Sequence, residues 1–197
     1  MWYWAFRTAI VIIFRTFFRL RVEGKSNLPE KTNFIVAANH ASFLDPFAVG
    51  ASIPKKIYWL ALRDFYKIFW ASWFMRVTDA LPTGGSSRKA AYLLTNSKNV
   101  GLFPEGVRAH DGRLREFKKG AAFLALKTGR PIVPCAIFGT ERALPRKAKF
   151  PKFVPIKVKI GKPIYLLKEF DDRIDDLCLH EGIFKVRNAI KAMLDAG

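Results

Sequence analysis

The chain has 197 residues, of which 50% are hydrophobic and 14% aromatic, and it carries 34 lysines and arginines against 16 aspartates and glutamates. This length predicts one domain with a substantial core, and the apolar content excludes a disordered chain. The formal net charge of +18 predicts a polyanionic partner. Zinc-finger spacing and an aromatic RNA-binding signature are missing from the sequence, so an anionic membrane surface is expected rather than nucleic acid.

Residues 2–20 form an aromatic and apolar stretch that is interrupted by Arg7, Arg15 and Arg19. Its longest apolar run, 9–14, is far shorter than the roughly 20 residues that span a membrane, and a signal-peptide cleavage site does not follow. On a helical wheel the arginines gather on one side, and most of the aromatic residues lie elsewhere. Residues 1–20 are therefore predicted to be a basic amphipathic helix that lies in a membrane surface. A helix packed against the edge of the core is the alternative.

Apolar runs then alternate with helical patterns to the end of the chain. Strands are predicted at 20–23, 33–38, 56–61, 99–103, 132–138 and 155–160, with a weaker candidate at 77–81, and helices at 45–52, 63–75, 86–97, 117–129 and 173–195. The alternation predicts an α/β fold, a single domain over 21–197 with a mostly parallel central sheet flanked by helices. Ligands of such sheets gather at the carboxyl ends of the strands.

A histidine and an aspartate lie five residues apart, His40 and Asp45, just after the predicted strand 33–38. An imidazole titrates near neutral pH and can take a proton from a hydroxyl, provided that a carboxylate holds its other nitrogen. The two side chains meet if the chain turns between them, and Asp45-Pro46 is a natural helix start, with Asp45 as the capping residue. A loop histidine beside a simple helix cap is the alternative. Ser42 between them is interpreted as structural, a capping-box partner of Asp45.

A second polar segment, 103–108, follows the predicted strand 99–103 and reads Phe-Pro-Glu-Gly-Val-Arg. Pro104 and Gly106 flank Glu105 and force a turn, so a carboxylate and the Arg108 guanidinium are presented together at a strand end. The planar donor fork of arginine suits a phosphate group. A surface loop with a local ion pair is the alternative.

Together the two segments resemble the conserved blocks of the glycerolipid acyltransferase family, whose best-known members are the 1-acyl-glycerol-3-phosphate acyltransferases. The first block is similar at 39–45, the third at 103–108, and the stretches 117–129 and 132–134 also match in order and spacing. The similarity covers roughly residues 20 to 165. Four ordered elements are far more specific than either motif alone.

The resemblance implies transfer of an acyl group from a thioester, acyl-CoA or acyl-carrier protein, to the hydroxyl of a lysophospholipid acceptor, 1-acyl-glycerol-3-phosphate, giving phosphatidic acid. His40 is the expected base and Asp45 its partner, with no nucleophilic serine and no cofactor. The expected substrate-binding residues are Glu105, Gly106, Arg108, Lys118 and Lys119. In that set Arg108, with Lys118 or Lys119, holds the acceptor phosphate, while Glu105 orients Arg108 or binds an acceptor hydroxyl. The expected location is the cytoplasmic side of the inner membrane of a bacterium.

The sequence departs from the family pattern at two places, which concern the acceptor more than the reaction. Val107 replaces the usual threonine of the third block, and no arginine follows Asp79 in the stretch corresponding to the second block. Arg63, Arg76 or Arg88 could substitute. Another lysophospholipid or glycerol 3-phosphate therefore remains an alternative acceptor. A non-catalytic basic module that binds membranes or nucleic acid is the alternative of a different class.

The two cysteines, Cys135 and Cys178, do not make a disulfide framework, which fits a reducing cytoplasm. Cys135 lies in an apolar run and is predicted to be a core residue. Cys178 with His180 resembles half of a metal site, but two ligands without a second pair are a weak signal, so no metal is expected. The aromatic run 65–74 fits either the core or an acyl-chain groove.

Overall fold

The computed structural model describes residues 2–61, 75–76, 78–82, 87–109, 114–167 and 174–197. The helices there include α1 (Trp2–Thr16), α2 (Asp45–Ser52), α3 (Ser87–Thr95), α4 (Gly120–Thr128), α5 (Thr140–Ala143) and α6 (Asp176–Asp195). The strands are β1 (Arg21–Glu23), β2 (Ile35–Ala38), β3 (Ile57–Ala61), β4 (Leu81–Pro82), β5 (Asn99–Leu102), β6 (Ile132–Phe138) and β7 (Lys157–Ile160). The predicted helix 63–75 and the aromatic run 65–74 lie almost wholly outside the described residues.

One seven-stranded sheet has the order β1-β7-β6-β2-β5-β3-β4. Neighbouring strands run parallel except β6 and β7, which are antiparallel. The predicted α/β fold with a mostly parallel central sheet and flanking helices is thus confirmed. The weak strand candidate at 77–81 is wrong in its bounds, because β4 begins only at Leu81.

Strand β2 lies in the middle of the sheet and is buried on both faces. Its alternate residues belong to two separate clusters: Val36 and Ala38 pack on the side of α1 and α2, while Ile35 and Ala37 pack on the side of α3, α4 and α6. A continuous apolar run is what a strand covered on both faces requires. The loop that leaves β2 consequently starts from a central strand that is buried on both faces.

Helix α1 packs against α2 with one face and leaves apolar side chains on the other. Phe14 is buried, and the Arg7 guanidinium donates to the carbonyls of Gly50 and Ile53 at the end of α2. Arg7 is thus drawn inward by the open carbonyls of α2, whereas Arg15 and Arg19 are exposed. Exposed apolar residues on the outer face are Trp2, Trp4, Ile12 and Ile13. Within the described ranges, every helix is too short or too polar to cross a bilayer.

Candidate functional site

The turn that joins β2 to α2 brings His40 and Asp45 into direct contact. His40 Nδ1 lies 2.7 Å from Asp45 Oδ2, and the same oxygen accepts the backbone N–H groups of Ala41 and Ser42, each at 2.7 Å. Asp45 is fully buried, whereas the His40 side chain remains 16% exposed. Because Nδ1 faces the carboxylate, Nε2 is the ring nitrogen left for a substrate.

Asp45 is the first residue of α2, and its side chain reaches back into the turn. The capping position is Leu44, and the Asp45 carboxylate binds His40 and the N–H groups of Ala41 and Ser42, which precede the helix. The prediction that Asp45 caps the helix is therefore wrong, since its carboxylate is committed to His40. Ser42 supplies the local turn contact: its Oγ accepts the N–H of Leu44 at 3.3 Å, and its own N–H bonds to Asp45.

Ser42 is fully buried, and its hydroxyl donates to the carbonyl of Leu144 at 3.0 Å. An activated serine nucleophile needs a base at its hydroxyl and access to substrate. The hydroxyl of Ser42 instead ties the turn to the segment after α5. This arrangement supports the structural interpretation of Ser42.

Glu105 fixes the backbone around His40. Its Oε1 accepts the N–H of His40 at 2.7 Å, its Oε2 accepts the N–H of Arg115 at 3.0 Å, and Ala109 donates to the His40 carbonyl at 2.8 Å. Glu105 is only 4% exposed, and burial raises its pKa against the opposing effect of the two N–H donors. Glu105 thus positions the main chain on both sides of the turn, a role outside the two expected alternatives of orienting Arg108 or binding an acceptor hydroxyl.

The imidazole is the outer member of a stack of three rings. The ring of His40 lies on Phe103, with centroids 4.1 Å apart and planes 17° apart, and Phe103 lies on Trp59, at 5.0 Å and 7°. The sequence did not identify Phe103 or Trp59 as site residues. The position of Phe103 at the start of the 103–108 motif was a usable signal, but contact with Trp59 depends on β3 and β5 being neighbours.

The cationic side chain of Arg108 lies beside the turn that carries His40 and Asp45. The Arg108 guanidinium carbon lies 3.7 Å from the centroid of the Phe43 ring, and its buried Nη1 makes no hydrogen bond within the described part of the chain. Burial, with the nearby charge of Arg146, lowers the pKa of Arg108, while the charge of Asp45 opposes that shift. A guanidinium with an unused donor, held next to the His–Asp pair, is suited to an anionic group.

The two lysines of the predicted substrate set are placed differently. Gly106 has φ +73°, and the Lys118 ammonium would lie 2.8 Å from a Cβ at that position, so Lys118 covers the turn that carries Glu105. Lys119 Nζ lies 2.6 Å from Asp176 Oδ1 on α6, and this ion pair lowers the pKa of Asp176. The structure thus brings Lys118 to the 103–108 loop and commits Lys119 to α6.

Two of the three arginines proposed as substitutes in the second block belong to the described part of the chain. Arg63 is outside the described residues, and Arg76 and Arg88 are exposed. Among the described residues, no three histidine, cysteine or acidic side chains are grouped as metal ligands would be. Cys135 is fully buried, and burial raises the pKa of its thiol to about 12, as expected for a core cysteine.

Comparison with known proteins shows similarity to acyltransferases. Residues 19–138 match the family model described as Acyltransferase. The chain is 30% identical over 155 residues to a 1-acyl-sn-glycerol-3-phosphate acyltransferase of Bacillus subtilis, covering 74% of each chain. It is 31% identical over 159 residues to the chloroplastic enzyme LPAT1 of Arabidopsis thaliana, covering 76% of this chain and 44% of that one.

A solved structure is similar over nearly the whole chain. The crystal structure of the 1-acyl-sn-glycerophosphate (LPA) acyltransferase PlsC from Thermotoga maritima superposes with a TM-score of 0.72 at 25% identity, covering 95% of this chain and 80% of that one. The chain spans only about half the length of the plant relatives, 44% of the Arabidopsis thaliana protein and 46% of one from Brassica napus.

Proposed function

The chain belongs to the acyltransferase family, and we propose that it transfers a fatty acyl group to the free hydroxyl of 1-acyl-glycerol-3-phosphate, forming phosphatidic acid. The observation that carries the proposal is the 2.7 Å contact between His40 Nδ1 and a fully buried Asp45 carboxylate. Relatives named 1-acyl-sn-glycerol-3-phosphate acyltransferases support the choice of acceptor. The donor is an acyl thioester, of either CoA or an acyl-carrier protein.

In the proposed reaction His40 acts as the general base. Nε2 takes the proton of the acceptor hydroxyl as its oxygen attacks the thioester carbonyl, so that a C–O bond forms and the C–S bond breaks. The imidazolium then returns the proton to the leaving thiolate. Asp45 holds the required tautomer and stabilises the imidazolium, while the ring stack and Glu105 fix the position of the ring. The chemistry calls for no cofactor.

Arg108 is the proposed ligand of the acceptor phosphate, with Lys118 as a second cation. The support is the unused Arg108 donor beside the His–Asp pair and the place of Lys118 over Gly106. Binding the phosphate at a fixed distance from His40 would orient the hydroxyl and lower the entropic barrier of the reaction. Glu105 and Gly106 contribute the backbone geometry of this loop. Lys119 is left out because of its ion pair.

We further propose that residues 1–20 contact a membrane and that residues 21–197 form the acyltransferase domain. The proposed location is the cytoplasmic face of that membrane. The exposed Trp2, Trp4, Ile12 and Ile13 support the membrane contact. Such side chains are suited to the interfacial layer of a bilayer. A lipid acceptor would then reach the site along the membrane surface.

The test is acyl transfer from labelled palmitoyl-CoA to 1-acyl-glycerol-3-phosphate, with wild type beside His40→Ala. We expect product with wild type and a loss of about 10²- to 10⁴-fold in the variant. Both proteins should give the same far-UV circular dichroism spectrum. Equal rates would refute the role of His40, and transfer only from acyl-carrier protein would settle the donor. Failure with both donors, and with glycerol 3-phosphate or other lysophospholipids as acceptor, would refute the proposed reaction.

A further inference from the structure

The segment after α5, residues 145–155, combines exposed aromatic rings with cations and lacks acidic residues. Phe150 is 81% exposed and Phe153 is 65% exposed, although large apolar side chains are ordinarily covered. The exposed cations of the same segment are Arg146, Lys147, Lys149 and Lys152. An acidic residue does not occur between 142 and 168. The proposed transfer reaction makes no use of these rings.

The segment is held against the end of α1 and is not a loose tail. The Phe153 ring lies 5.0 Å from Phe17, which is 50% exposed, and 5.6 Å from the buried Phe18. Backbone hydrogen bonds run from Ile156 to the carbonyl of Phe18 and from Lys152 to that of Ala143, at 2.9 and 2.6 Å. We call the surface formed by Phe17, Phe150 and Phe153 with Lys147, Lys149 and Lys152 the aromatic-basic rim.

The segment that carries most of the rim starts beside the candidate active site. The hydroxyl of Ser42, inside the His40–Asp45 turn, donates to the carbonyl of Leu144, the residue just before the segment. Two residues further on, the charge of Arg146 is close enough to Arg108 to act on its titration. The chain that carries most of the rim therefore leaves the edge of the site where we place the acceptor phosphate.

We propose that the aromatic-basic rim is a second membrane contact, which docks on the surface of an anionic bilayer and faces the site toward the lipid headgroups. Moving phenyl rings from water to the boundary between headgroups and acyl chains lowers the free energy, and attraction between the neighbouring lysines and anionic lipid lowers it further. Only the benefit of docking for acyl transfer rests on the proposed function. Docking itself is a separate property of the surface.

The charge pattern selects this partner over two others. A second copy of the chain would bring the same cations to the contact, on a molecule with a net charge of +18, and like charges would oppose pairing. Duplex nucleic acid would use the lysines, but most of its affinity comes from phosphate contacts, and it would not require two exposed phenyl groups. A bilayer uses both kinds of side chain.

The experiment measures sedimentation of the full chain with vesicles, in the absence of acyl donor. Neutral vesicles contain phosphatidylcholine alone, and anionic vesicles contain phosphatidylcholine with about one third phosphatidylglycerol. One variant carries Phe150→Ser and Phe153→Ser, and another carries Lys147→Gln, Lys149→Gln and Lys152→Gln. The matched controls change side chains exposed elsewhere on the protein: Tyr92→Ser with Phe184→Ser, and Lys89→Gln with Lys98→Gln and Lys185→Gln.

We expect each rim variant to lose roughly tenfold or more in partitioning to anionic vesicles. The lysine variant should equal wild type on neutral vesicles, and both controls should stay within about twofold of wild type. Rim variants that sediment like wild type would overturn the proposal, as would equal losses in the controls. A rim-dependent change in oligomeric state or DNA binding, with vesicle binding unchanged, would also overturn it.

The same variants separate this proposal from the proposed function. With an acceptor embedded in anionic vesicles, the rim variants should raise the acceptor KM, while a short-chain, water-soluble acceptor should be used at the wild-type rate. If no acyl transfer is found for any protein, the vesicle sedimentation still decides the role of the rim. If transfer is found and sedimentation does not depend on the rim, only the rim proposal fails.

Discussion

The wall of the site around His40 and its open border around Arg108 are built in opposite ways. At the wall, the Asp45 and Glu105 carboxylates are buried, and three of their four oxygens accept hydrogen bonds from neighbouring groups. At the border, Arg108 keeps an unused donor, and the nearby rim exposes phenyl rings and lysines. The fold holds the groups that the proposed reaction must position accurately, whereas the groups at the border are the ones proposed to meet the acceptor phosphate and lipid. Changes at the wall should therefore affect turnover, and changes at the border should affect substrate use.

The largest effect is expected from Asp45→Asn. The amide keeps the shape of the side chain but removes the charge that stabilises the imidazolium, so we expect kcat to fall by about 10²- to 10⁴-fold with little change in acceptor KM. The control is Ser42→Ala, which removes the hydrogen bond to Leu144 and should lower the free energy of unfolding by about 1 kcal/mol while largely keeping kcat. Loss of turnover in the stable Ser42→Ala protein as large as in Asp45→Asn would contradict the assignment of roles.

A smaller loss is expected from Glu105→Gln. The glutamine oxygen can accept one of the two N–H groups that face Glu105, but its amide group meets the other, which costs about 1–3 kcal/mol. Because the backbone of His40 shifts, kcat should fall by about 10- to 100-fold. Glu116→Gln, an exposed neighbour, is the control and should match wild type in both rate and unfolding. A Glu105→Gln protein with wild-type kcat would show that the position of His40 does not depend on this carboxylate.

The raised pKa of Glu105 also predicts how that difference in stability varies with pH. The native state binds the Glu105 proton more tightly than the unfolded chain does, because burial penalises the carboxylate. The resulting contribution to stability is complete below the ordinary carboxyl pKa and is lost as pH rises through the raised native value. Urea unfolding should therefore show a larger deficit for Glu105→Gln at acid than at neutral pH.

Gly101→Ala tests the wall through packing alone. A Cβ on Gly101 would lie 2.7 Å from side-chain atoms of both Ile57 and Trp59, so Trp59 must move, and with it the stack that carries Phe103 and His40. We expect a loss of about 1–3 kcal/mol in stability and a fall in kcat of roughly tenfold. Gly50→Ala in α2 is the control, since its Cβ would meet nothing within 4 Å. Wild-type kcat in a folded Gly101→Ala protein would argue against a role for the stack.

The difference between the two regions also explains how far the sequence could predict them. The bounds of α2 and β6, the mostly parallel sheet and the five-residue spacing of His40 and Asp45 follow from local patterns in the chain. The contact of Trp59 with Phe103 does not, because it depends on which strands become neighbours. The use of Glu105 by backbone N–H groups is hidden for the same reason. The antiparallel pairing of β7 depends on the path of 144–156, which has no local signature of direction.

At the open border, Arg108→Ala should change substrate use with the least effect on the fold. A phosphate bound equally in the ground and transition states predicts an acceptor KM raised by roughly tenfold with kcat nearly kept. The matched control is Lys119→Ala, which removes a nearby cation that the structure pairs with Asp176 and should leave the acceptor KM unchanged. Kinetics with varied acceptor at saturating donor give both values. An unchanged KM for Arg108→Ala would remove the arginine from the phosphate site, and a raised KM for Lys119→Ala would mean that this ion pair opens when the acceptor binds.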